Sequence, residues 1–260
     1  MDPALVLALV ALDIAAVCLY VFLLTRMDRY RMDKESTALI ARFYFIGLLS
    51  NLTVWLLYLT VGSAIAGLFW TLMEGPGFYV GSFVEEFFIV GPVEETAKFI
   101  VFFCFSSWLR TIKEPVDGIL QAAAVALAFA SVENMMYAMQ YGVSNMLIRS
   151  VLCILGHMTW AAIWGVACSK VVYHRLVRNG KPRVELILGA VALAAATHGM
   201  YNFLLDLGRF DLAVMLIVFA LAWIILLYGR MIEESPYRAM PRWQYRNAIR
   251  TVRAGLDNMK

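Results

Sequence analysis

The sequence predicts an all-α fold: a polytopic bundle of about seven transmembrane helices, with the N-terminus outside and the C-terminus inside. Three observations predict it. Of the 260 residues, 62% are hydrophobic and 16% charged, whereas soluble domains run at about half and about a quarter. Long apolar runs recur, as from Leu5 to Leu24 and from Leu212 to Tyr228, and about twenty such residues cross a bilayer as a helix. The basic residues gather between alternate runs. Backbone groups in lipid must be bonded internally, so the spans are helices, and the short alternating segments of a barrel are absent.

The spans fall near residues 3–25, 39–61, 80–109, 117–140, 147–173, 184–205 and 210–231. The first has Asp2 before it and Arg26, Arg29 and Arg31 after it, the pattern of a retained helix and not of a cleaved signal. The third is interrupted at Gly91-Pro92, where proline favours a fresh helical start. The stretch 62–79 holds Gly62, Gly67, Gly75, Pro76 and Gly77; it reads as an outer loop, with a short interfacial helix around Ile65 to Met73. The small residues Ala190 to Thr197 let the sixth span pack closely on a neighbour. This layout puts 19 of the 22 Lys and Arg on the inside and leaves only Lys98, Arg149 and Arg209 elsewhere, as the positive-inside rule requires.

Residues 1–236 form the transmembrane domain, with its motif-bearing core at about 80–205. Residues 237–260 form a basic cytoplasmic tail. Its arginines, with Trp243 and Tyr245, suit either an amphipathic helix on anionic membrane lipids or a solvated topogenic tail. The net charge of +3 serves topology and implies no nucleic-acid partner. Cys18, Cys104, Cys153 and Cys168 lie in apolar stretches without a C-x-x-C spacing and read as small buried residues.

Ionisable residues inside a span are costly and mark function. Here they are few: Glu94, Glu95 and Lys98 in the third span, Glu133 beside Asn134 in the fourth, His157 in the fifth, and His198 with Asn202 in the sixth. Glu85 and Glu86 precede the third-span interruption and read as outer-interface residues, with lining of the substrate entry as the alternative. Asp13 stands alone in the first span. Counted from the basic end of each helix, Glu94 is 16 residues from Arg110, Glu133 16 from Asp117, His157 13 from Lys170 and His198 15 from Arg183. At about 1.5 Å per residue, all four lie about 20–24 Å deep. They define one polar site in the outer half of the bilayer. Lys98 stands i+4 from Glu94 and i+3 from Glu95, within reach of both; His198 and Asn202 share a face.

Two His and up to three Glu, with no Cys, form a hard-to-borderline donor set. Two His plus one Glu with an open position is a catalytic zinc arrangement, and a further Glu could deprotonate the water. Without a metal, a buried Glu could activate water directly, with His and Asn stabilising the oxyanion.

These residues sit in recognisable motifs. Pro92-Val-Glu-Glu-Thr-Ala-Lys98 resembles the EExxK motif of the PrsW intramembrane proteases. Glu114-Pro-Val-Asp-Gly118 with Phe129-Ala-Ser-Val-Glu133-Asn134 resembles that family's EPxDG…FxxxEN block. His157, with Gly165 eight residues on, and His198-Gly-Met-Tyr-Asn202 resemble its two histidine motifs. The four motifs run in order over about residues 80–205. The resemblance implies a multi-pass protease that cleaves a membrane-protein substrate, such as an anti-sigma factor, in regulated proteolysis. It also suggests distant kinship with CAAX-prenyl endopeptidases, from which this chain departs by carrying Glu133 where they carry His. By this resemblance Glu94 is the general base, and Glu95, tied to Lys98, supports it or shares that catalytic role. Glu133, His157 and His198 are the metal ligands, with zinc as the candidate ion, or they position water and oxyanion in a metal-free glutamate-type enzyme. Asn202 donates to the oxyanion and Asn134 orients Glu133. Met135, Met136 and Met139 read as packing residues. The rival from another class is an ion- or proton-coupled transporter; against it, the polar residues share one level and form no path.

Overall fold

The computed structural model describes residues 3–27, 37–65, 67, 78–178, 183–235, 250–251 and 254. Its helices are α1 (Pro3–Met27), α2 (Thr37–Gly47), α3 (Leu49–Leu57), α4 (Phe78–Glu85), α5 (Gly91–Leu109), α6 (Asp117–Tyr141), α7 (Val143–Arg178), α8 (Val184–Asp206) and α9 (Phe210–Glu234), with π-helical turns at Tyr58–Gly62 and Glu86–Val90. There is no strand among the described residues. Six helical stretches are long and apolar enough to cross a membrane. The seventh, Phe78 to Leu109, carries Glu85, Glu86, Glu94, Glu95 and Lys98, which is why composition alone sets it apart. The basic tail and the interfacial helix expected around Ile65 to Met73 fall largely outside the described residues.

The interruption expected at Gly91-Pro92 is not a break. Gly91 keeps right-handed helical angles, φ −54° and ψ −52°, and the chain runs on from α4 through the π-turn into α5. Proline offers no N–H and its ring crowds the preceding turn. The wider π-turn absorbs both without ending the helix.

The bundle is centred on α6 and α7, whose spans are each 78% buried, against 11% for α1 and 17% for α9. The alanines of α6 explain its position: Ala122, Ala123, Ala124, Ala126, Ala128 and Ala130 are all buried, and their small side chains admit neighbours on every face. Gly118 and Gly165 bring α6 and α7 together, since a Cβ on either would strike the other's carbonyl oxygen. The Gly118 N–H donates to Ser169 Oγ at 2.7 Å. Just before it, Asp117 Oδ2 accepts the backbone N–H groups of Lys113 and Glu114 at 2.7 and 2.9 Å. The EPxDG block thus locks the basic ends of two helices. The outer helices expose large apolar side chains, such as Trp55 and Phe219, both 67% exposed, as a lipid-facing surface does. Cys153 and Cys168 are buried as expected, but Cys18 and Cys104 are exposed. So are Met136 and Met139, whereas Met135 packs as expected against the cluster of Leu9, Ala138 and Met146.

Candidate active site

The site forms where α5, α6, α7 and α8 meet. Close approach of α8 to the π-turn sets it. A Cβ on Gly91 would meet Ala195 O and Gly199 N, and one on Gly199 would meet Glu86 O and Phe87 Cα. The bare backbones therefore seat His198 against Glu94 and Glu95.

Lys98 and Glu95 are both 0% exposed and form the base of the site. Lys98 Nζ donates to Glu95 Oε1 at 2.5 Å, contacts His157 Nδ1 at 2.9 Å and lies 4.6 Å from the centre of the Phe129 ring. Glu95 Oε1 also accepts from His198 Nδ1 at 3.2 Å, and Glu95 Oε2 from Trp164 Nε1 at 3.1 Å. Glu95 is thus fully satisfied, as a buried carboxylate must be. An ammonium has no lone pair, so His157 Nδ1 accepts from Lys98 and the His157 proton sits on Nε2. Nε2 donates to Glu133 Oε2 at 2.8 Å. By the same reasoning His198 carries its proton on Nδ1, and its Nε2 lone pair points toward Glu94 Oε2, 3.8 Å away. Trp160 stacks on His198 with centroids 4.2 Å apart and 15° between planes, which fixes the ring.

The depths read from helix rise bring Glu94, Glu133, His157 and His198 into one cluster. Their partnerships differ from those expected. Both Glu133 oxygens are engaged, Oε1 by Arg149 Nη2 at 2.7 Å and Oε2 by His157. The carboxylate that completes a group with the two histidines is Glu94: one donor atom from each of Glu94, His157 and His198 lies within 4.8 Å of the others, and all three residues are buried. Asn134 does not touch Glu133; its Oδ1 accepts from Arg149 Nε at 3.0 Å. Asn202 donates Nδ2 to Glu86 Oε2 at 2.8 Å. Glu85 and Glu86, expected at the outer interface or at the substrate entry, both line the wall of the cavity, Glu86 from the first residue of the π-turn.

Whether these residues suit a metal can be judged from the donors. Glu94 Oε2 is buried without a hydrogen-bond partner, and it faces the free lone pair of His198. Four carboxyl side chains, Glu86, Glu94, Glu95 and Glu133, face two basic ones, Lys98 and Arg149, so the site has more acidic than basic groups in a medium that penalises charge. His nitrogen and carboxylate oxygen, three donors with space beside them, are compatible with a bound metal ion. A cavity of about 480 Å³ supplies that space. It runs from Glu94 and His157 past Arg149 to Tyr141 and Asp206, at helix ends opposite the basic ones.

Sequence reasoning missed Arg149, Trp160 and Trp164. Arg149 had a signal: it is one of three basic residues that the positive-inside pattern left unplaced. The tryptophans had none, since one indole among many on apolar helices carries no mark of its partner.

Residues 35–228 match a family described as "PrsW family intramembrane metalloprotease". The chain is 30% identical to "Protease PrsW" of Oceanobacillus iheyensis over 202 residues, 76% of this chain and 86% of that one. It is 29% identical to "Protease PrsW" of Shouchella clausii over 145 residues, 55% of this chain and 65% of the relative. With "Protease PrsW" of Clostridioides difficile it shares 26% over 223 residues, 83% of this chain and 86% of the other. No solved structure matches. A family match across 35–228, with the motif residues gathered at one buried site, makes the chain a member of the PrsW family of intramembrane metalloproteases, a membrane-embedded peptidase of the multi-pass kind.

Proposed function

We propose that Glu94, His157 and His198 hold a zinc ion and that Glu133 handles the protons of peptide hydrolysis. This exchanges the roles that motif resemblance gave to Glu94 and Glu133. The observation that carries it is Glu94 Oε2, buried and without a hydrogen-bond partner, 3.8 Å from His198 Nε2 and 3.9 Å from Lys98 Nζ. Zinc supplies a Lewis acid that polarises the scissile carbonyl and makes water nucleophilic at neutral pH.

The chain's own residues supply the rest. Glu95 holds the Nδ1 proton of His198 and so aims Nε2 at the site, the usual carboxylate–histidine support. Lys98 holds His157 from the Nδ1 side. For His157 to offer Nε2 to a metal, Nε2 would lose its proton to solvent as the metal binds, Nδ1 would take a proton from Lys98, and the contact with Glu133 Oε2 would open; the freed Glu133 oxygen would then take a proton from water and return it to the leaving amine. The Asn202 amide, held by Glu86, lines the same cavity and is the candidate oxyanion donor. The substrate is a membrane protein whose peptide bond reaches the outer half of the bilayer, anti-sigma-factor-like in the family's regulated proteolysis. Its access route is the cavity toward Tyr141 and Asp206.

A metal-free reading has one observation in its favour: both ring nitrogens of His157 are already engaged. Glu94 would then activate water itself, as a glutamate-type protease. Metal content of the purified protein, beside a His157→Ala/His198→Ala variant, separates the two. About one zinc per chain, lost in the folded variant, is the expected result. Cleavage by metal-free protein in excess chelator would overturn the zinc reading.

A further inference from the structure

Arg149 is the one Arg or Lys in the cavity wall among the described residues, and α6 grips it at three points. Its Nη2 meets Glu133 Oε1 at 2.7 Å, its Nε donates to Asn134 Oδ1 at 3.0 Å, and its guanidinium lies 3.8 Å from the centre of the Tyr137 ring. Glu133, Asn134 and Tyr137 stand at i, i+1 and i+4 on α6, so one helical turn holds a single side chain from α7. The arginine is mostly buried, its side chain 13% exposed. An exposed surface pair contributes little, but a planar guanidinium with three fixed contacts in a low-dielectric setting holds its partner in one geometry.

We infer that Arg149 is a positioning residue for hydrolysis: it fixes Glu133 through Oε1, so that only Oε2 can turn toward His157 or a water. Asn134 acts one step further out, by holding the arginine. This rests on the reading in which Glu133 moves the proton. A lysine could balance the charge of Glu133 but could not reach Glu133 and Asn134 in one plane.

The test uses the full chain in detergent micelles. The probe is a single-pass membrane peptide that the wild type cuts, with the residual rate of a Glu133→Gln variant measured on the same peptide. Thermal unfolding and metal content are read alongside. Arg149→Gln and Arg149→Lys should unfold near the wild-type temperature, keep KM within about threefold and lose kcat by about 10- to 100-fold, the usual effect of removing an outer support of a catalytic group. Glu133→Gln/Arg149→Gln should be no slower than Glu133→Gln alone, because two residues acting as one unit are not additive. Should the Arg149 variants not fold, Asn134→Leu, which leaves the charge, should lower kcat about tenfold at unchanged KM. Unchanged kcat in folded variants, a rise in KM alone, or multiplicative losses in the double variant would overturn the inference. If the wild type cuts no membrane peptide at all, the hydrolytic reading falls first and this one with it. If the wild type cuts but Glu133→Gln cuts equally well, only the role of Glu133, and hence of Arg149, is lost.

Discussion

Lys98 Nζ lies 2.9 Å from His157 Nδ1 and 2.5 Å from Glu95 Oε1, so one buried ammonium links both arms of the site. It neutralises Glu95 and, by donating, sets which nitrogen of His157 carries the proton. Removing it leaves a carboxylate buried without its cation. Lys98→Met is therefore expected to destabilise the bundle by about 3–5 kcal/mol and to abolish cleavage. Lys98→Arg should not restore either, since the wider guanidinium does not fit a fully buried ammonium site. Thermal unfolding in detergent checks this; a Lys98→Met protein that melts and cleaves like the wild type would sink it.

Glu94→Gln and Glu133→Gln should part company. Glu94 offers to the donor group an oxygen that no hydrogen bond occupies, so its amide should lower zinc retention in chelator competition by about 10- to 100-fold. Glu133 has both oxygens engaged by Arg149 and His157, so its amide should retain the metal while losing cleavage. Equal metal loss in both variants would restore Glu133 to the ligand set.

Trp164 donates its indole N–H to Glu95 Oε2 at 3.1 Å, and its ring packs on Phe102 at 5.0 Å. Trp164→Phe keeps most of the packing and strips the donor. A buried carboxylate oxygen left unsatisfied costs about 1–3 kcal/mol, and the melting temperature should fall accordingly. The unfolding curve of Trp164→Phe beside that of Phe102→Leu separates the polar loss from a packing loss.

The spans and the common depth of the site were legible because both follow from local rules. Apolar runs register lipid residue by residue, and a helix rises by a constant step, so Glu94 and His198 could be placed at one level without knowing how their helices meet. What depth cannot give is rotation and partnership. Whether Glu94 or Glu133 keeps a free oxygen depends on where Arg149 reaches, and Arg149 comes from a helix whose facing is set by Gly118 against Gly165. The Gly91-Pro92 pair marked where α5 begins. It could not show that a π-turn carries the helix through and swings Glu86 into the cavity, because the extra residue of such a turn leaves no periodic trace. Asn134 and Glu133 are neighbours in sequence, which suggested direct support. In space they meet only through the arginine.

Gly199 tests whether the site depends on that helix contact. A Cβ there would meet Glu86 O and Phe87 Cα, backbone that cannot turn away, so α8 must move off the π-turn and carry His198 with it. Gly199→Ala should destabilise by about 1–3 kcal/mol and should lower metal retention and cleavage together. Gly189 lies on the same helix, and a Cβ there meets nothing within 4 Å. Gly189→Ala should be neutral or stabilising by up to about 1 kcal/mol, since alanine is the better helix former. Both variants change one hydrogen to a methyl in α8, so helix propensity is matched between them. A difference in metal retention therefore reports the contact alone. Equal behaviour of the two would mean that His198 is held in place by Trp160 and Glu95 without help from the backbone approach.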